Sequence, residues 1–304
     1  MTALLGFFQR FFRVLFLHTI GKSYDFYLYL QYLQYMLSHG WQVQYQIARS
    51  EEVSLTDRVC VFVLYQPKGI SKNTLKYLEA IRRQNFSIIA VSNCQVSAAD
   101  LAVLKKLCAQ VILRDNVGRD FGAYKTGILE AYQQNPSMKN LLIANDSVHA
   151  PLHDLGVMHQ KMENSSYDFW GVTDNSHERY HIGSYYVFFN EKIIVSEKFK
   201  SFWLEFSDRK SRRHAIHQGE IALSSLLFNL GFRGGVFCST KDVAGLIYQL
   251  ELKELIRFLF KLSKVFSFAE KEYEMNQIIK DLIALKKTNC SFASQIIKER
   301  AAYL

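Results

Sequence analysis

Apolar and polar positions in the middle of this chain switch repeatedly between two periods. The run Arg58-Val59-Cys60-Val61-Phe62-Val63-Leu64-Tyr65 reads as a buried strand, and Pro67, Lys68 and Gly69 end it. Ser71 then stands where a helix N-cap belongs, ahead of Leu75, Leu78 and Ile81 at helical spacing. The alternation continues with a strand over 87–92, a helix over 98–108, a strand over 110–113, a helix over 121–134 and a strand over 140–144. Such an order predicts a parallel sheet with right-handed crossovers, whose ligands bind beyond the carboxyl ends of the strands. Residues 168–172 and the aromatic, alternating 181–189 read as strands, and 199–206 and 220–230 as helices. From Leu250 onward the pattern is nearly all helical, with Ile256, Phe258, Leu259 and Phe260 interleaved with Arg257, Lys261 and Lys264. Strand signals stop near residue 245, the softest boundary.

Composition narrows the class. At 304 residues and 49% hydrophobic, the chain can bury the core of one large domain or two modest ones, and it has no disordered or low-complexity stretch. A net charge of +9 draws anions: phosphorylated substrates, acidic lipid headgroups or nucleic acid. A solvated, lysine-rich surface accounts for the same charge. No nucleic-acid module accompanies it, so nucleic acid is not an expected partner. The five cysteines form no CxxC pair, which argues against a disulfide framework or zinc site and fits a reducing cytoplasm. The apolar stretch over 4–20 is broken by Gln9, Arg10 and Arg13, so it fits neither a spanning helix nor a signal peptide. It reads as an amphipathic helix, lying either in a membrane interface or on the protein's own core.

Three short patterns carry candidate chemistry. Asn116-Val117-Gly118-Arg119-Asp120-Phe121-Gly122-Ala123-Tyr124-Lys125 follows a strand and opens a helix, where backbone N–H groups and the helix dipole favour an anion. Gly118 and Gly122 permit close backbone approach, Arg119 is placed for phosphate, and Asp120 for a ribose or base. Asn145-Asp146-Ser147 follows an apolar strand, where a carboxylate reaches a divalent cation bridging two phosphates. Glu220, after Gly219, sits at an expected helix N-terminus and is a candidate proton acceptor from a sugar hydroxyl. Each also has a plainer explanation: a tight strand-to-helix turn, an Asp/Ser turn, and an acid favoured by the helix dipole. No GxSxG, P-loop or usefully placed GxGxxG occurs.

Taken in order, these motifs resemble the rhamnan synthesis protein F family of bacterial polysaccharide biosynthesis. The resemblance runs over about residues 55–240. It includes Asn145-Asp146-Ser147 with Pro151-Leu152, Asp168-Phe169-Trp170-Gly171-Val172-Thr173 and His181-Ile182-Gly183-Ser184-Tyr185-Tyr186. It implies an α/β fold: a GT-A-like, Rossmann-type mixed sheet flanked by helices, over 55–245. An amphipathic helical segment over 1–50 and a helical C-terminal extension over 246–304 would flank it.

The implied activity is glycosyl transfer, specifically of rhamnose. The donor is a nucleotide sugar, dTDP-L-rhamnose, and the acceptor a lipid-linked saccharide. The enzyme would sit peripherally on an anionic membrane surface, at the cytoplasmic face of the cell membrane. By that resemblance Asn116, Gly118, Arg119, Asp120, Asn145 and Ser147 hold the nucleotide, and Asp146 and Glu220 are catalytic. Trp170, His181 and Ser184 line the sugars. Asp146 stands where such enzymes carry a DxD motif for Mg2+ or Mn2+, although this chain has one acid there. A non-catalytic scaffold or nucleotide-sugar-binding module in a polysaccharide assembly complex is the alternative.

Overall fold

The computed structural model describes residues 43–242 apart from His149, His177 and Lys210, together with Leu30 and Leu33. The expected amphipathic stretch over 4–20, the boundary near 245 and the C-terminal extension lie outside the described residues. The chain divides into two compact units. One takes in Met1–Phe169 and Ser184–Gly234, the other Trp170–Gly183 and Gly235–Leu304.

The first unit is an α/β layer built on the buried runs legible in the sequence. Strand β1 is Tyr45–Arg49, β2 Arg58–Leu64, β3 Ser87–Ser92, β4 Gln110–Arg114 and β5 Asn140–Asn145. Helices α1 (Lys72–Arg82), α2 (Ala98–Leu107) and α3 (Arg119–Gln134) connect them. Strands β2, β3, β4 and β5 are parallel: β2 pairs with both β3 and β5, and β4 lies on the far side of β3. The α1 cap is the expected one, with Ser71 accepting from the Thr74 N–H.

After α4 (Leu155–Glu163), the chain forms β6 (Phe169–Gly171), which begins in the first unit and passes into the second. The second unit holds β7 (Asp174–Asn175) and β8 (His181–Ile182), paired antiparallel. The chain returns to the first unit with β9 (Tyr186–Phe189), antiparallel to β5. Helices α5 (Glu191–Ile194), α6 (Glu197–Glu205) and α7 (Arg212–His214) follow, then a π-helical stretch, Ala215–Ile221, then α8 (Ala222–Asn229) and β10 (Gly234–Val236). Among the described residues no helix is long and apolar enough to cross a membrane.

The structure departs from the sequence pattern in three places. Tyr45–Arg49, within the stretch expected to be helical, is an antiparallel edge strand on β4. Residues 181–189 are two strands, because the backbone of Ser184 between them bonds to side chains instead of a ladder. The helix expected to open at Gly219-Glu220 begins earlier, where Ser211 Oγ accepts from the His214 N–H at 3.3 Å.

Aromatic packing fixes α3, the helix that carries the first motif. Phe121 stacks on Trp203 of α6 at 5.8 Å and meets Phe206 at 5.7 Å. Burying such rings contributes beyond their area alone, by about 0.5–1.5 kcal/mol a pair.

Candidate functional site

At the carboxyl end of β4 the chain must turn sharply into α3. Gly118 is the N-cap, with φ 75°, and Arg119 follows at φ 53°, so two consecutive residues are left-handed. Glycine carries the first without penalty; an arginine in the second is uncommon. Gly118 and Gly122 do permit a close approach, but what approaches is the protein's own Asp208. A Cβ on Gly118 or Gly122 would lie 2.7 Å or 2.4 Å from Asp208 Oδ1. Asn116 and Arg119 are exposed on this turn, while Asp120 is half-buried.

At the carboxyl end of β5, Asn145 is buried and its Nδ2 donates to Asp120 Oδ2 at 3.1 Å. Its Oδ1 accepts from the N–H and hydroxyl of Ser147, an Asx turn that leaves Ser147 bonded within its own motif. Asp146 Oδ2 accepts from Tyr65 N at 3.0 Å and Gln66 Nε2 at 2.9 Å, just past the end of β2. These bonds tie the ends of β2 and β5 and the start of α3 into one place.

Glu220 reaches the same place from the π-helical stretch. Its Oε1 accepts from the Ser184 N–H at 2.7 Å, and the Ser184 carbonyl accepts from the Tyr124 hydroxyl at 2.9 Å. Tyr124 lies one turn after Asp120 on the same helix face. Burial and the Asp120 and Glu220 charges, among other causes, raise its phenol well above the ordinary value, so it is a neutral donor.

The electrostatics bind these groups together. Burial pushes the Asp120 carboxyl up, and the Asp146 and Glu220 charges push it further, against the Arg119 guanidinium and the Asn145 hydrogen bond. Asp120 therefore stands within electrostatic reach of both Asp146 and Glu220.

Ser184 contributes its backbone and not its hydroxyl. Trp170 and His181 belong to the second unit. Trp170 has no exposed surface, so its indole offers no face for a sugar to stack on. His181 is buried and its Nδ1 lies 2.7 Å from the Arg179 carbonyl. At the other ends of the strands, a cavity of about 440 Å³ is lined by Arg49, Glu51, Glu52, Gln110 and Gln134, and contains none of the expected residues.

The sequence reading missed Asp208, Asn93 and Gln66, and gave Tyr124 no role. Tyr124 had a signal in its spacing from Asp120. Asp208 had none, being 94 positions from its partner Arg114.

Among the described residues no cluster of three or more His, Cys, Asp or Glu side chains has the geometry to hold a metal. Mg2+ and Mn2+ at nucleotide sites commonly take one or two carboxylates and complete their shells with phosphate and water. The mutually repelling pair Asp120 and Asp146 fits that donor set.

The family described as rhamnan synthesis protein F matches residues 88–297. A curated relative, the uncharacterized protein y4gN of Sinorhizobium fredii, is 26% identical over 201 residues, 65% of this chain and 52% of that protein. The virulence protein VirA of Vibrio anguillarum is 30% identical over 174 residues, 54% of each. The chain thus spans about half the length of the curated relatives it matches. Among solved structures, it is similar to the mannosyltransferase PcManGT from Pyrobaculum calidifontis in complex with GDP-Man and Mn2+. That likeness has a TM-score of 0.37 and 10% identity, over 93% of this chain and 92% of that one. A cytidylyltransferase from Leptospira borgpetersenii gives a TM-score of 0.35 at 11% identity, over 59% of this chain and 75% of that one.

Proposed function

The chain belongs to the rhamnan synthesis protein F family, and from that premise we propose that it is a GT-A-like glycosyltransferase, moving rhamnose from dTDP-L-rhamnose to a lipid-linked saccharide. One observation carries the reading: hydrogen bonds gather Asn145, Asp146 and Asp120 at the carboxyl ends of parallel strands, where α/β sheets bind their ligands, with Glu220 held beside Tyr124 of the same helix through Ser184. Family membership supports polysaccharide synthesis as the setting. The net charge of +9 supports peripheral attachment to an anionic membrane surface, at its cytoplasmic face, where such an acceptor is displayed.

In this mechanism Glu220 takes the proton from the acceptor hydroxyl. The Ser184 N–H fixes its carboxylate, and Tyr124 fixes Ser184 in turn. The acceptor oxygen attacks the anomeric carbon as the bond to the diphosphate breaks, and the nucleoside diphosphate leaves. Arg119 faces the diphosphate, and Asp120, held by Asn145, orients the ribose or base. Asp146 would hold Mg2+ or Mn2+, which would supply neutralisation of the leaving diphosphate.

A second reading, a non-catalytic nucleotide-sugar-binding module, draws on one observation: Asp146 Oδ2 is already held by two protein donors. The test is a panel of nucleotide sugars offered to the purified protein with Mg2+, Mn2+ or chelator. Turnover of one donor is expected; tight binding without turnover favours the second reading, and neither binding nor turnover removes both.

A further inference from the structure

The turn bearing Gly118 and Arg119 is braced from two sides. A left-handed backbone at Arg119 persists only where the surroundings enforce it. On one side, Asn93, buried just past β3, donates Nδ2 to the Arg119 carbonyl at 3.3 Å. Its Oδ1 accepts from Arg114 Nη1, also at 3.3 Å. On the other, the buried Asp208 accepts from Arg114 Nη2 at 3.2 Å and lies 3.7 Å from Lys125 Nζ. Arg114 is itself buried and donates to the Val117 carbonyl, one residue before Gly118.

Asp208 also packs directly on this turn. Its carboxylate lies against Gly118 and Gly122, in the first turn of α3. The turn also presents the exposed side chain of Arg119, a cation, on its outer face.

We propose that Asp208 is a positioning residue for the donor diphosphate: through Arg114 and its packing on Gly118 and Gly122 it locks Gly118 and Arg119 in their left-handed turn, so that this turn meets the diphosphate through Arg119. The proposal rests on the nucleotide-sugar reading above. It differs from a purely structural role in acting through Arg119.

The test is a double-mutant cycle on the full chain, by calorimetry with dTDP, UDP and GDP, each with Mg2+. Asp208→Asn is expected to weaken binding about tenfold in the parent and less than about twofold beside Arg119→Ala. A loss of equal size in both backgrounds, or no loss at all, overturns the proposal while leaving the nucleotide reading intact. A parent protein that binds none of the three overturns the reading and the proposal together. If circular dichroism finds Asp208→Asn unfolded, Asn93→Ala takes its place. It removes the brace from the opposite side and is expected to give the same Arg119-dependent loss; undiminished affinity in that variant overturns the proposal.

Discussion

Burial and two neighbouring acids raise the Asp120 carboxyl, so the folded state binds a proton there more tightly than the unfolded chain does. By linkage, the stability this gives is fully present below the unfolded pKa and is lost as pH rises through the folded one. At neutral pH a charged Asp120 is therefore a cost to folding, the kind of local conflict that proteins retain where function requires it. Asp120→Asn should raise the thermal midpoint at pH 7 while weakening nucleotide binding, and its advantage should shrink as pH falls into the ordinary aspartate range. A lower midpoint at pH 7 would contradict the assignment. Asp120 and Asp146 were legible because each directly follows a recognisable strand or turn. Asp208 was not, since only folding brings it to Arg114 across 94 positions. The burial of Trp170 was not legible either, because an aromatic in a motif looks the same in the sequence whether its ring is exposed or has no exposed surface.

Whole elements were legible in proportion to their burial. Strands β2, β3 and β5 are almost entirely buried and read directly as apolar runs. The edge strand β1, Tyr-Gln-Ile-Ala-Arg, is half exposed and carries no such signal. The misplaced helix start has a packing cause. Gly219 lies inside a helix, where a Cβ would sit 2.5 Å from the Phe121 ring. It is glycine because α3 passes there, and Glu220 beside it belongs to a π-helical stretch, a form that recurs at functional sites. Gly219→Ala should therefore destabilise, despite alanine's better helix propensity, by about 1–3 kcal/mol from overpacking. The denaturation midpoint reads this, and an unchanged or higher midpoint would exclude the close contact.

Across the first unit as a whole, the two ends of the parallel strands are built for different purposes. At the amino ends, Arg58 donates to both oxygens of Glu163, at 2.8 and 2.9 Å, and lies over the Phe86 ring. His159 bridges Glu163 and the Tyr186 hydroxyl. A carboxylate only accepts, so His159 Nδ1 carries the proton toward Glu163. Burial alone would push the Glu163 carboxyl up, but the His159 and Arg58 hydrogen bonds and charges outweigh it and hold it at about 2. The sign is opposite to that of Asp120. This stability is present above the unfolded pKa and drains away as pH falls from about 4.5 toward 2. Glu163→Gln should cost about 1–3 kcal/mol at pH 7, and its melting curve should merge with the parent's in acid; a gap that persists at pH 2 would contradict the network. The carboxyl ends carry the opposite arrangement, acids gathered with their charges in conflict.

That contrast makes the location of a bound donor the most direct measurement. A crystal structure with dTDP-L-rhamnose, or with a nucleoside diphosphate and Mn2+, should place the diphosphate beside Arg119 and Asp146, with Glu220 facing the sugar. A nucleotide seated instead at the amino ends, in the cavity lined by Arg49 and Gln110, would contradict the account.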